Sequence, residues 1–231
     1  MCITVEGHQL ASASGACSPA DRVTKSLLGY GMIAGPLYVG LSLGQALAHP
    51  GFDLTRHAWS LLGAGPWGWV QQLNLIVTGA MVIAFAIGLA RSTVTRWGPR
   101  LVGLFGLGMI VAGVCVADPM DGYPVGAPTP ATPTWHGTGH MIAGSVGFLA
   151  MVVGAQLLAR TFARHGHRAL SWWSRITGIF FLVSIVAIGS GSAQPILILG
   201  FTAGIVAVFA LIAGVARQQY RRVGHDDRAQ L

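Results

Sequence analysis

His136 and His140 stand four residues apart in the stretch DPMDGYPVGAPTPATPTWHGTGH, residues 118–140. On a helix this spacing puts both imidazoles on one face, one turn apart. There they could hold one transition metal, as the same spacing does in H-E-x-x-H enzymes. Gly137-Thr138-Gly139 separates them, without the glutamate of that motif. A third ligand must therefore come from elsewhere, and Asp118, Asp121 or His57 are near in topology. A second constellation lies in FDLTRHAWS. Asp53, Arg56, His57 and Ser60 fall at i, i+3, i+4 and i+7, one face of a short helix that Gly63 and Gly65-Pro66 would end. Arg56 could grip a phosphate or carboxylate bidentately, or pair with Asp53 or Asp118. Ser60 beside His57 has the residue types of a nucleophile and its base, although a helix-facing hydroxyl is the simpler reading. Asn74 suits a bond to a neighbouring helix or to a ligand, and the Tyr123 hydroxyl could point into the same site. The candidate catalytic set is Asp118, His136, His140 and Arg56. Asp53, His57, Ser60, Asn74, Asp121 and Tyr123 are candidate ligand contacts. A divalent metal such as zinc would fall to His136, His140 and Asp118.

The elements that must position these residues are membrane helices. The chain is 53% hydrophobic and only 9% charged over 231 residues, where a soluble domain carries roughly 25% charged residues. A bilayer core needs about 20 apolar residues per helix. About six such runs occur, near 27–47, 68–90, 101–117, 137–159, 173–190 and 195–216. Trp59, Trp67, Trp69, Trp97, Trp135, Trp172, Trp173 and Tyr220 lie near their ends, as an interfacial aromatic belt requires. The expected fold is an all-α transmembrane bundle over 26–217, with disordered tails at 1–25 and 218–231. The net charge of +7 does not indicate nucleic acid, because the basic residues cluster between apolar runs. All but Arg56 fall on one side of a six-span topology. By the positive-inside rule both termini are then cytoplasmic, and the candidate site faces outward from the cell membrane. Cys2, Cys17 and Cys115 form no C-x-x-C pair, so neither a disulfide framework nor a thiolate zinc site is indicated. The first 25 residues lack the apolar core of a signal peptide. Ser190-Gly191-Ser192 reads as a tight turn, and the prolines at 128, 130 and 133 stiffen a segment long enough to form a lid.

Several elements together resemble the DUF998 family of bacterial polytopic membrane proteins. They are Asp53, Arg56 and Ser60 of the first outer loop, then Gly68, Trp69, Gln71 and Asn74 entering the second helix. Asp118-Pro119, Gly122-Tyr123-Pro124 and the His136/His140 pair complete the pattern. The resemblance implies the architecture and leaves the function undefined. Three readings follow from the residues. The pocket binds a lipid headgroup or other amphiphile, and with a metal could serve a hydrolase or transferase. Alternatively, the protein is a non-catalytic sensor, assembly factor or small transporter, and the cluster is a structural ion-pair network. The third is a b-type haem protein using His57 with His136 or His140. Membrane lipids are the expected partners.

Overall fold

A computed structural model describes residues 18–93, 95–128, 132–190 and 194–223 of the chain. Six helices are long and apolar enough to cross a membrane: α1 (Pro19–Ala48), α2 (Gly68–Ser92), α3 (Trp97–Val114), α4 (Trp135–Arg164), α5 (Arg168–Gly189) and α6 (Pro195–Arg222). A short 3-10 helix, Trp59–Ala64, lies between α1 and α2. Local chemistry sets the boundaries. Ser18 caps α1 by accepting from the Asp21 amide at 3.1 Å, and Pro19 occupies the first turn, where its missing N–H costs nothing. Thr134 caps α4 in the same way through the Gly137 amide at 3.0 Å. At the α4–α5 junction Gly166 has φ +78, and the His167 amide returns to the Phe162 carbonyl at 2.9 Å.

Each helix packs on the next, and α1 meets α6 to close the ring. Short connections at 93–96 and 165–167 make consecutive helices antiparallel. Rings from five helices fill the centre. Tyr38 of α1 stacks on Phe209 of α6 at 5.2 Å, which meets Phe105 of α3 at 6.3 Å. Phe148 of α4 continues the column to Phe181 of α5 at 5.3 Å and Phe201 of α6 at 5.6 Å. The α2–α3 contact is closer than side chains allow. A Cβ on Gly79 would lie 2.5 Å from the Gly106 carbonyl, and one on Gly106 would lie 2.7 Å from the Gly79 carbonyl. Small residues let membrane helices approach this closely, where dispersion rather than the hydrophobic effect drives association.

Charge is sorted by end. Arg22, Arg91, Arg96, Arg100, Arg164, Arg168, Arg221 and Arg222 gather at one end. Arg56 is the one Lys or Arg at the other, among the described residues. Trp97, Trp172 and Trp173 are exposed at the basic end, and Trp67, Trp69 and Trp135 at the Arg56 end. Trp59 departs from the expected belt: it is buried against Tyr38, ring centroids 6.0 Å apart.

Four boundaries differ from the sequence reading. Helix α1 begins at Pro19, inside the segment read as tail, and α6 continues to Arg222; residues 1–17 and 224–231 lie outside the described residues. Helix α3 ends at Val114, so Asp118 sits in the loop beyond it rather than at a helix end. Residues 53–57 form a turn, and helical structure begins only at Trp59. The expected four-residue face from Asp53 to Ser60 is therefore not continuous. Residues 129–131 of the proposed proline lid and residues 191–192 of the Ser190–Ser192 turn lie outside the described residues.

Candidate functional site

At the Arg56 end the predicted residues fall into three groups. The first joins the α1–α2 loop to the α3–α4 loop. Its anchor is a two-residue turn in which the Met120 and Tyr123 amides and carbonyls bond reciprocally at 3.0 and 3.1 Å. Asp121 at φ +57 and Gly122 at φ +87 fill its centre, the backbone that an Asp-Gly pair favours in a type I′ turn. The turn presents the Asp121 main-chain carbonyl to His57 Nε2 at 3.1 Å and to Arg56 Nη2 at 3.4 Å.

These contacts assign the state of His57. Its Nδ1 accepts from the Asp53 amide at 2.9 Å, so Nε2 carries the proton and donates to the Asp121 carbonyl. The residue is buried, and both nitrogens are engaged with main chain. The Arg56 and His57 amides close the turn at 53–57 on the Asp53 carbonyl at 3.0 and 2.8 Å, and the ring bond caps the Asp53 amide. Phe52, His57 and Tyr123 pack their rings 5.1–5.5 Å apart and weld the two loops together. Burial pushes the Tyr123 phenol above its ordinary pKa, and its oxygen approaches His49 Nδ1 at 3.5 Å.

The Asp53 carboxylate turns to Thr55, accepting from its hydroxyl at 2.7 Å and its amide at 2.8 Å. Those two bonds, with smaller help from His57 and Arg56, hold its pKa below the usual carboxylate value. Arg56 is exposed and bonds only weakly to the Asp121 carbonyl, so most of its five donors face open space. Around these residues lies an open cleft of about 720 Å³ lined by His49, Phe52, Asp53, Arg56, His57 and Asp121, among others. Ser60 is half-buried on the 3-10 helix, and His57 has no nitrogen left to activate it.

The second group clamps α3 to α4. The Asp118 carboxylate accepts from the Thr134 hydroxyl at 2.6 Å and the Thr134 amide at 2.9 Å. Those bonds lead, with a smaller contribution from His136, in holding its pKa below the ordinary value. A Cβ on Gly137 would strike this carboxylate. In return, His140 Nδ1 donates to the Ala112 and Cys115 carbonyls, both at 2.9 Å. Carbonyls only accept, so Nδ1 bears the proton. Asp118 thus serves the positive N-terminal end of α4, and His140 the negative C-terminal end of α3. The His136 ring stacks on Trp135 with centroids 3.4 Å apart, and its Nδ1 is buried without a partner. Among the described residues no group of three or more His, Cys, Asp or Glu side chains is placed to hold a metal ion.

The third group is a polar seam between α1 and α2. Asn74 Nδ2 donates to the Tyr38 carbonyl at 3.1 Å and to Ser42 Oγ at 3.2 Å, while Thr78 donates to Asn74 Oδ1 at 3.3 Å. Ser42 donates to Gln71 Oε1 at 3.1 Å. Asn74 therefore belongs to the helix contact and lies apart from the cleft.

Sequence reasoning missed Thr134, Thr55 and Phe52. A threonine directly before a helix is a recognisable N-cap signal for Thr134. No local pattern marks the other two. A family model described as "Protein of unknown function (DUF998)" matches residues 32–218. No curated protein and no solved structure matches the chain.

Proposed function

The chain belongs to the DUF998 family, whose function is unknown, and from that premise we propose that its cleft binds the phosphate or carboxylate headgroup of a membrane amphiphile. The protein is a multi-pass membrane protein with six candidate spans. The observation that carries the proposal is Arg56. It is the one Lys or Arg at its end of the bundle among the described residues, it lines the open cleft, and its guanidinium is largely uncommitted. A planar fork of donors beside the bilayer surface suits an anionic oxygen pair. We place the basic end in the cytoplasm by the positive-inside rule, which puts the cleft on the outer face of the cell membrane.

The reading is of binding without catalysis. Asp118 and His140 are engaged in joining α3 to α4, and His57 in joining two loops. A hydrolase or transferase built on His136, His140 and Asp118 would have to dismantle that clamp. A haem ligand at His57 would have to break its main-chain bonds. The test is a thermal-shift titration in non-ionic detergent with dihexanoyl phosphatidic acid and dihexanoyl phosphatidylcholine. The acidic lipid should raise the melting temperature saturably in the native protein and not in Arg56→Gln. An equal response to both lipids, or an undiminished one in Arg56→Gln, rejects the proposal.

A further inference from the structure

A groove of about 470 Å³ adjoins the cleft and shares His49 with it. Its floor is α1 at Gly40, Leu41 and Gly44, and its wall is Pro66, Trp67 and Val70 at the start of α2. Neither Gly40 nor Gly44 has any neighbouring atom within 4 Å of where a Cβ would stand, so α1 is a bare shelf here. Leu41 and Trp67, which line it, are exposed, as lipid-facing residues are.

Besides His49 and the Trp67 indole, one polar side chain lines the groove. Gln45 is 9% exposed and lines it. Its Nε2 donates to the Trp67 carbonyl at 3.1 Å, which settles the amide orientation, because a carbonyl can only accept. Gln45 Oε1 is then a buried acceptor with no partner. An orphaned acceptor at membrane depth is costly, and a ligand donor would relieve it. Gln45 stands four residues before His49, one helical turn from the point where groove and cleft meet.

We infer that the groove takes the hydrocarbon chain of the same amphiphile whose head lies in the cleft, and that Gln45 Oε1 accepts a hydrogen bond from a hydroxyl or amide N–H at the head–chain junction. The inference rests on the headgroup reading and narrows it. The ligand is an anionic amphiphile that places one chain on α1 and carries a donor next to its head. A monoacyl glycerophosphate has this chemistry, and a plain alkyl phosphate lacks the donor.

Three probes separate the parts: 1-dodecanoyl-glycerol-3-phosphate, dodecyl phosphate and glycerol-3-phosphate. Their dissociation constants are measured on native protein, Gly44→Leu and Arg56→Gln in non-ionic detergent. The leucine fills the groove at a position with open space, so the fold should tolerate it. In the native protein the hydroxylated probe should bind about tenfold more tightly than dodecyl phosphate, the worth of one buried hydrogen bond. Gly44→Leu should reduce both chain-bearing probes to the level of glycerol-3-phosphate and leave that small probe unchanged. Arg56→Gln should weaken all three. Equal binding of the two chain-bearing probes in native protein overturns the Gln45 assignment. Gly44→Leu without effect overturns the groove assignment, while a surviving dependence on Arg56 keeps the headgroup reading. Loss of the Arg56 dependence itself removes both.

Discussion

His57 is the residue whose chemistry changes most between chain and fold. An imidazole near Asp53 and Ser60 suggests a base, yet in the fold it bridges two stretches of main chain and is spent there. His57→Ala should remove the bonds to the Asp53 amide and the Asp121 carbonyl together with the buried ring between them, each bond worth roughly 1 kcal/mol. Thermal unfolding in detergent checks this, and a melting temperature equal to that of the native protein would show that water replaces both bonds. Arg56 should behave oppositely. It is exposed and makes one long bond, so Arg56→Gln should leave stability within about 0.5 kcal/mol while removing the response to acidic lipid. The two neighbours thus separate structure from binding by the same pair of measurements.

Helix ends are the natural place for the ionisable residues of the α3–α4 loop. Peptide groups there lack intrahelical partners and take side-chain ones instead. Asp118 and His140 meet this need reciprocally. Thr134→Ala should cost about 1 kcal/mol as a lost N-cap, together with the anchor it offers Asp118. The clamp should also depend on pH. The Thr134 donors depress the Asp118 pKa. A depressed carboxylate adds stability that is complete above its unfolded value and disappears as pH falls through its folded value. The melting-temperature gap between native protein and Asp118→Asn should therefore hold steady down to about pH 4 and narrow below it, as the carboxylate becomes protonated. A gap that does not narrow below about pH 4 argues against the carboxylate form as the source. The α2–α3 contact makes a further demand at element scale. Gly106→Ala would press a Cβ against the Gly79 carbonyl, an overpacking that costs roughly 1–3 kcal/mol. The loss should appear in a thermal melt, whereas Gly44→Ala, with open space, should show none.

Across the whole molecule, a ring of six helices closed by α1 on α6 encloses an aromatic column, and Asp53, His57, Asp118, Asp121, His136 and His140 lie at the end away from the arginines. Orientation in the membrane should follow that asymmetry. Fusions placed after Arg222 should report only with a cytoplasmic reporter, and fusions in the α3–α4 loop only with a periplasmic one. Activity of a periplasmic reporter after Arg222 would invert the bundle and bring the cleft to the inner face. Under the proposed function, the cleft and the groove are the two walls that take head and chain of one amphiphile.

Much of this architecture was legible in the sequence, because hydrocarbon leaves an apolar run of this length no alternative to a helix that satisfies its own backbone. Six spans, their order, the charge difference between ends and the residues crowded at the Arg56 end could all be read from spacing and composition. The roles within that crowd could not. Asp121 acts through its carbonyl, His140 through bonds to carbonyls of α3, and Asp118 through a threonine beside which it does not stand in sequence. Main-chain acceptors carry no residue identity, so no pattern of letters reveals which side chain will find them. The turn at 53–57 escaped for a related reason. Its helical spacing is real and gives a single turn, with the His57 amide on the Asp53 carbonyl, but the His57 ring folds back onto the Asp53 amide and is held by Phe52, Tyr123 and a loop more than sixty residues away. Only tertiary packing brings those partners together, and so only the folded chain decides which of its polar groups remain free to meet a ligand.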